Sequence, residues 1–161
     1  MLSSCRSYDA DNTGKLDSLG KSLIDVFETS GSHRTSFHTP DQSCVTYVCD
    51  SMLEFDSEAD SVKLSDSIRS AIEECGYDVK LHISGATVRD GNRSWSAGIA
   101  SFIANDYGNK DYGHTIGDTG GTIIGKEKFT STTVGSKDGS YTTISLLFIP
   151  ENGKLSLVLT N

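Results

Sequence analysis

From Lys128 to Thr160 the chain reads as three alternating runs joined by two short polar turns, and a chain carrying that pattern must build an antiparallel sheet. "KFTSTTV" leads through "GSKDGS" to "YTTISLLFI", and that run leads through "PENG" to "KLSLVLT". Side chains on a strand alternate between faces, so Leu155, Leu157 and Leu159 share one face and are expected in the core. Turns of about four to five residues suit hairpin loops. The C-terminal part is therefore expected to close as a β-meander.

Upstream the period changes. "KLDSLGKSLIDVFETSG" carries Leu16, Leu19, Leu23, Val26 and Phe27 on one helical face and is expected to stop at Gly31. "LSDSIRSAIEECGYDV" reads as a second helix, capped by Ser65 and stopped by Gly76, with Leu64, Ile68, Ala71, Ile72 and Cys75 as its apolar stripe. "DVKLHIS" alternates as a strand with Val79, Leu81 and Ile83 inward. After the turn "DGNRSW", the positions Trp95, Ile99, Phe102 and Ile103 have helical spacing, so a third helix is expected, ending at "NDYG". The expected architecture is α+β: an antiparallel sheet with two or three helices packed on one face. At 161 residues, with no repeat and no linker, the chain reads as one domain, residues 1–14 forming a flexible N-terminal segment.

Four cysteines bear on the compartment. "SCVTYVCDS" favours a strand through Val45, Thr46, Tyr47 and Val48. On a strand, Cys44 and Cys49 point to opposite faces, about 16 Å apart, whereas a disulfide needs Cα atoms within about 7 Å. They are not expected to pair with each other. Two connectivities then remain: Cys5–Cys44 with Cys49–Cys75, or Cys5–Cys49 with Cys44–Cys75. An even count in a chain with no CxxC motif points to oxidation and a secreted or extracytoplasmic location, and away from a zinc ribbon or redox pair.

The charge is lopsided. Residues 1–80 carry 15 acids and 7 bases, while residues 81–161 carry 7 of each. Phosphate-backbone binding depends on clustered Lys and Arg, so nucleic acid is excluded as a partner. The acidic half can meet a basic surface or serve solubility. Within it, "DSMLEFDSEAD" holds five acids between residues 50 and 60 and reads as a solvated loop. No apolar run approaches the roughly 20 residues that cross a bilayer. No basic start followed by an apolar stretch marks a signal peptide in residues 1–30.

Several stretches carry a chemical reading. "DADNTGKLD" resembles the start of an EF-hand calcium loop. Asp9, Asp11 and Thr13 fall at the first three ligand positions and Gly14 at the tight turn, and Asp17 also fits; the bidentate acid at the twelfth position is replaced by Gly20. Calcium is the one cofactor this pattern admits; the alternative is an Asp-rich turn before a helix. "GDTGGTIIGKE" matches P-loop spacing at Gly120, Gly125 and Lys126, but Glu127 stands where magnesium needs Ser or Thr, so a surface loop is expected. His82 and Ser84 match half of the paired His-x-Ser/Thr signature of two-histidine phosphoesterases. As a second half, "HTP" at His38 is a poor match, because its third residue is Pro40. The alternative for His82 is a solvent-facing position on its strand.

Two processing signals are also present. "LSSC", Leu2 to Cys5, matches a bacterial lipobox, and "NRS", Asn92 to Ser94, is a glycosylation acceptor.

Taken together, the "SCVTYVCDS" strand, the cysteine-bearing helix, "RSWSAGIASFI" and the closing meander resemble small secreted fungal killer-toxin-like proteins over roughly residues 40–160. The resemblance implies a compact, disulfide-stapled α/β sandwich acting on a protein or cell-surface target. It transfers no site residues. The expected function is a secreted or surface-exposed binding protein, toxin-like or effector-like. The alternatives are an envelope lipoprotein acting in an assembly and a small phosphoesterase using His38 and His82.

Overall fold

A computed structural model describes residues 11–87, 94–101, 111–118 and 127–161. Its elements are α1 (Thr13–Val26), β1 (Thr29–Thr39), β2 (Gln42–Ser51), α2 (Glu58–Glu74), β3 (Asp78–Thr87), β4 (Ser94–Ser101), β5 (Asp111–Asp118), β6 (Lys128–Lys137), β7 (Ser140–Ile149) and β8 (Lys154–Thr160). The strands form one sheet in the order β1-β2-β8-β7-β6-β3-β4-β5, and every neighbouring pair is antiparallel. The expected meander is present as β6-β7-β8, and the α+β class holds.

Register explains the core. Three rows run across β2, β8, β7, β6 and β3: Val45-Leu159-Ile144-Thr133-His82, Tyr47-Leu157-Leu146-Ser131-Ser84, and Cys49-Leu155-Phe148-Phe129-Ala86. All fifteen side chains are buried. Tyr47 lies against Gly20 of α1, and Ser84 lies against Ser65 of α2. Since both sit in one row, both helices cover the same face. Helix α1 packs over β1, β2 and β8, and α2 over β3 and β6. Four aromatic rings close one end, with Phe27 edge-on to Phe148 at 5.5 Å and Phe55 edge-on to Phe129 at 6.2 Å.

The opposite face is open. Its rows are His33-Val48-Ser156-Leu147-Thr130-Gly85, Thr35-Thr46-Val158-Ser145-Thr132-Ile83 and Phe37-Cys44-Thr160-Thr143-Val134-Leu81. Phe37, Val48, Ile83 and Leu147 are large apolar side chains exposed on it, and Tyr141 is exposed at its rim.

Four local expectations are corrected. Helix α1 ends at Val26, where Glu28 takes φ +51°; Gly31, at φ +58°, lies instead in the irregular start of β1. Helix α2 begins seven residues before Ser65, at Glu58, because the Ser57 side chain accepts from the Asp60 backbone N–H at 3.2 Å. Part of the acidic run is therefore the first turn of a helix, where carboxylates complement the dipole. The expected third helix is the strand β4 over Ser94–Ser101, so two helices are found among the described residues; Phe102, Ile103 and "NDYG" lie outside them. "SWSAGIAS" has period-two spacing at Trp95, Ala97 and Ile99 as well as helical spacing, and pairing with β3 and β5 decides between them.

The fourth correction concerns which way β3 faces. Val79 pairs with Gly135 and Leu81 with Val134, so Lys80 is an extra residue in β3. Such a bulge shifts every later side chain to the other face. Val79 stays inside, but His82, Ser84 and Ala86 point inward while Ile83 is 48% exposed.

Candidate functional site

The bulge creates a buried polar cluster beneath α2. His82, Ser65, Ser84 and Thr133 are each at most 2% exposed. His82 Nε2 lies 2.9 Å from Ser65 Oγ and 3.1 Å from the Ser65 carbonyl, and Nδ1 lies 2.8 Å from Thr133 Oγ1. Ser65 and Ser84 hydroxyls are 2.7 Å apart. A carbonyl only accepts, so the proton sits on Nε2, and Thr133 donates to Nδ1. A histidine in that tautomer does not withdraw a proton from Ser65. With no solvent path to the hydroxyl, this serine–histidine contact is a satisfied interior network and not an activated nucleophile. The sequence missed Ser65 as a cluster member because it read as a helix cap.

The phosphoesterase pair is not assembled. His38 lies on β1, exposed, with Nδ1 2.9 Å from Ser43 Oγ. His82 lies five strand positions away, on the order of 20 Å. The expectation that His82 faces solvent fails because of the bulge, and Ser84 is spent on Ser65.

The calcium-loop residues are dispersed. Asp9 lies outside the described residues. Asp11 Oδ1 accepts from the Thr13 backbone N–H at 2.9 Å, and that bond holds its carboxyl below the usual range. Helix α1 begins at Thr13, so Gly14 and Asp17 are helical and Asp11 precedes the helix. Asp17 points to β1 and β2: Arg34 donates to both of its oxygens, at 2.5 and 2.7 Å, and the Tyr47 hydroxyl donates to Oδ1 at 2.6 Å. The Arg34 bonds hold Asp17 well below the usual carboxylate range, while burial and then Asp17 push Tyr47 up to about 12. This clamp fastens α1 to the sheet. Among the described residues, no group of three or more His, Cys, Asp or Glu side chains is arranged to hold a metal ion.

Cys44, Cys49 and Cys75 are free thiols. Both expected connectivities join Cys75 to Cys44 or Cys49, so neither is present. The reason is position. Cys75 ends α2 beside Tyr77 and Lys137, with its thiol 3.5 Å from Ser22 Oγ. Cys49 shares the helix-covered face but lies at the other end, in the row of Phe148 and Phe129. Cys44 is near the right end but on the open face. The opposite orientation of Cys44 and Cys49 is as the alternation implied. Burial pushes the Cys49 thiol up, which keeps it protonated. Cys5 and Asn92 lie outside the described residues.

One accessible concavity among the described residues runs between the two helices. A groove of about 740 Å³ has Val26, Ala71 and Cys75 along it and Asp25, Asp66 and Glu74 at its edges. A second hollow of about 330 Å³ adjoins it at Val26 and Ser67, with Leu53, Phe55 and Leu64 as apolar lining and Glu54, Asp60 and Lys63 as charged lining. Five carboxylates and one amine thus border a partly apolar crevice. No Lys or Arg among the described residues forms a salt bridge with Asp25, Asp66 or Glu74. The acids of this crevice are plain in the sequence, but their gathering is not, because it needs α2 to start at Glu58 and lie beside α1. No helix among the described residues is long and apolar enough to cross a membrane. Comparison with protein-family models, curated proteins and solved structures gives no match, so the chain is placed in no family.

Proposed function

We propose that this is a secreted or surface-exposed binding protein, toxin-like or effector-like, that captures a basic segment of a protein target in the crevice between α1 and α2. The observation that carries the reading is the crevice itself: apolar lining from Val26, Leu53 and Ala71 beneath an acidic border from Asp25, Asp66 and Glu74. An amphipathic helix rich in Lys and Arg presents the matching pattern. Electrostatic complementarity of this kind speeds encounter and rejects acidic partners. The lack of an exposed catalytic constellation among the described residues favours binding over the phosphoesterase alternative. The extracytoplasmic placement of this reading rests on the Asn92–Ser94 acceptor, since disulfides no longer support it.

Calorimetric titration with a Lys/Leu amphipathic peptide tests the crevice. Binding is expected to weaken as salt rises from about 50 to about 300 mM, as screening shortens. Asp66→Lys with Glu74→Lys is expected to weaken it at least about tenfold, roughly the effect of 1.4 kcal/mol. Equal affinity in the charge-reversed protein, or equal binding of an acidic peptide of the same length, would sink the reading.

The free state of Cys44, Cys49 and Cys75 favours a second reading, an envelope lipoprotein acting in an assembly, because it leaves Cys5 available for acylation. Mass spectrometry of the protein from a bacterial host decides this: an unacylated Cys5 would remove it.

A further inference from the structure

We infer that the open face of the sheet is a self-association surface, on which a second copy of this chain packs sheet to sheet. This surface is independent of the crevice, which lies on the other side of the sheet.

Three observations carry it. First, the exposed large apolar residues concentrate there: Phe37, Val48, Ile83 and Leu147 on the face and Tyr141 at its rim, each between 38% and 53% exposed. Second, the face is uncharged where it matters. Its three rows across β1, β2, β8, β7, β6 and β3 hold eighteen register positions with no Asp, Glu, Lys or Arg, and His33 is the one titratable side chain besides the Cys44 thiol. The charges come at the margin, as the Asp50–Lys154 ion pair at 2.5 Å and Lys128. A chain of net charge −8 repels its own copy through most surfaces. This face is where two copies meet without bringing carboxylates together.

Third, the area suffices. Six strands at about 4.8 Å spacing and three rows of residue pairs give a patch of about 29 by 20 Å. That is about 600 Å² per copy, or about 1,200 Å² for the pair, which reaches the lower bound for a stable interface. Aligned sheets pack about 10 Å apart, with Val, Ile, Leu and Thr side chains interdigitating. The contact is isologous, with Ser145, Val158 and Thr132 near the centre of the patch. Such a dimer carries its two interhelical crevices outward, on opposite sides, so a target with two basic segments is held bivalently.

Sedimentation equilibrium of the full chain between about 1 and about 300 µM tests this, a range chosen to bracket dissociation constants typical of interfaces near the lower size bound. The mass is expected to rise from 17.3 kDa toward twice that value with concentration. Ser145→Lys is expected to hold the protein at the monomer mass with an unchanged circular dichroism spectrum, because Ser145 is exposed. Mixing Ser145→Lys with Ser145→Glu is expected to restore the dimer, since opposite charges then face each other across the axis. A wild-type mass of 17.3 kDa at every concentration overturns the inference. So does a dimer that survives Ser145→Lys, or a mixture that fails to associate. Peptide capture in the crevice persisting in a monomeric wild type would refute self-association while leaving the proposed function standing.

Discussion

Replacing Gly20 by Ala is expected to destabilise the protein, although the same change in an exposed helix interior stabilises by about 1 kcal/mol. Gly20 is buried in the middle of α1. A Cβ there would sit 3.2 and 3.3 Å from Tyr47 Cδ2 and Cζ, and closer still to Cε2. The ring cannot swing aside cheaply. Its body is 3% exposed, and its hydroxyl is held 2.6 Å from Asp17, itself gripped by Arg34. Overpacking costs about 1–3 kcal/mol, and loosening a hydrogen bond to a charged group costs about 1.5–3. Against a gain near 1, the net is about 1.5–5 kcal/mol of lost stability. At about 2–4 °C per kcal/mol for a chain of this size, the melting temperature should fall by about 3–20 °C. Gly14, where an added methyl would meet nothing within 4 Å, supplies the control: Gly14→Ala should be neutral or stabilising. In a Tyr47→Ala background, Gly20→Ala should turn stabilising, giving a coupling of about 2 kcal/mol or more. Differential scanning calorimetry on the four proteins of the cycle reads this directly. If Gly20→Ala raises the melting temperature in the wild type as much as Gly14→Ala does, the claim that Tyr47 fixes the approach of α1 to the sheet is wrong.

Three further outcomes follow from the polar contacts. Asp17 has a depressed carboxyl, so its contribution is present above the unfolded value near about 4 and is lost as pH falls through the folded value; chemical unfolding from pH 7 downward should show this acid slope, and Asp17→Asn should flatten it. Tyr47 is pushed up to about 12, so its contribution is present below the ordinary value near about 10 and fades as pH rises toward 12, a loss that Tyr47→Phe should abolish. Thr133→Val removes the donor to His82 Nδ1 and should cost about 1–3 kcal/mol in urea denaturation; a cost below a few tenths would mean that the buried cluster contributes nothing to stability.

What could be read from the sequence was what depends on period over many residues. The β6-β7-β8 meander, the apolar face of α1 at Leu16, Leu19 and Leu23, and the stripe of α2 at Ile68 and Ile72 all emerged as expected, because each repeats a two-residue or 3.6-residue spacing several times. What could not be read depends on a single residue or on pairing across the sheet. "SWSAGIAS" satisfies both periods, and only its neighbours β3 and β5 select the strand. Ser65 looks like a cap, but it is Ser57 whose side chain lies over a helix start. Alternation placed Cys44 and Cys49 correctly, because their orientation concerns one strand. It could not place Cys75, which depends on where a helix ends relative to that strand. The crevice was illegible for the same reason: its acids come from α1, from α2 and from the segment between β2 and α2, and no local pattern records that these meet.

The extra residue at Lys80 ties the interior to the outer face. Without it, Leu81 and Ile83 would point under α2 and His82 and Ser84 would lie on the open face, as the bare alternation implied. For an isolated monomer that would be the better hydrophobic arrangement, since burying an Ile side chain is worth about 1.5–3 kcal/mol. The observed register instead exposes Ile83 and buries a histidine, whose ring nitrogens must be matched by Ser65, Ser84 and Thr133 to avoid a desolvation penalty of similar size. A fold that places three hydroxyls to keep His82 inside and Ile83 outside makes physical sense when the outer face is itself covered. In a sheet-to-sheet dimer, Ile83 stands in the central row beside Thr132 and Ser145, and its burial is recovered there. The polar cluster and the exposure of Ile83 are then two consequences of one inserted residue.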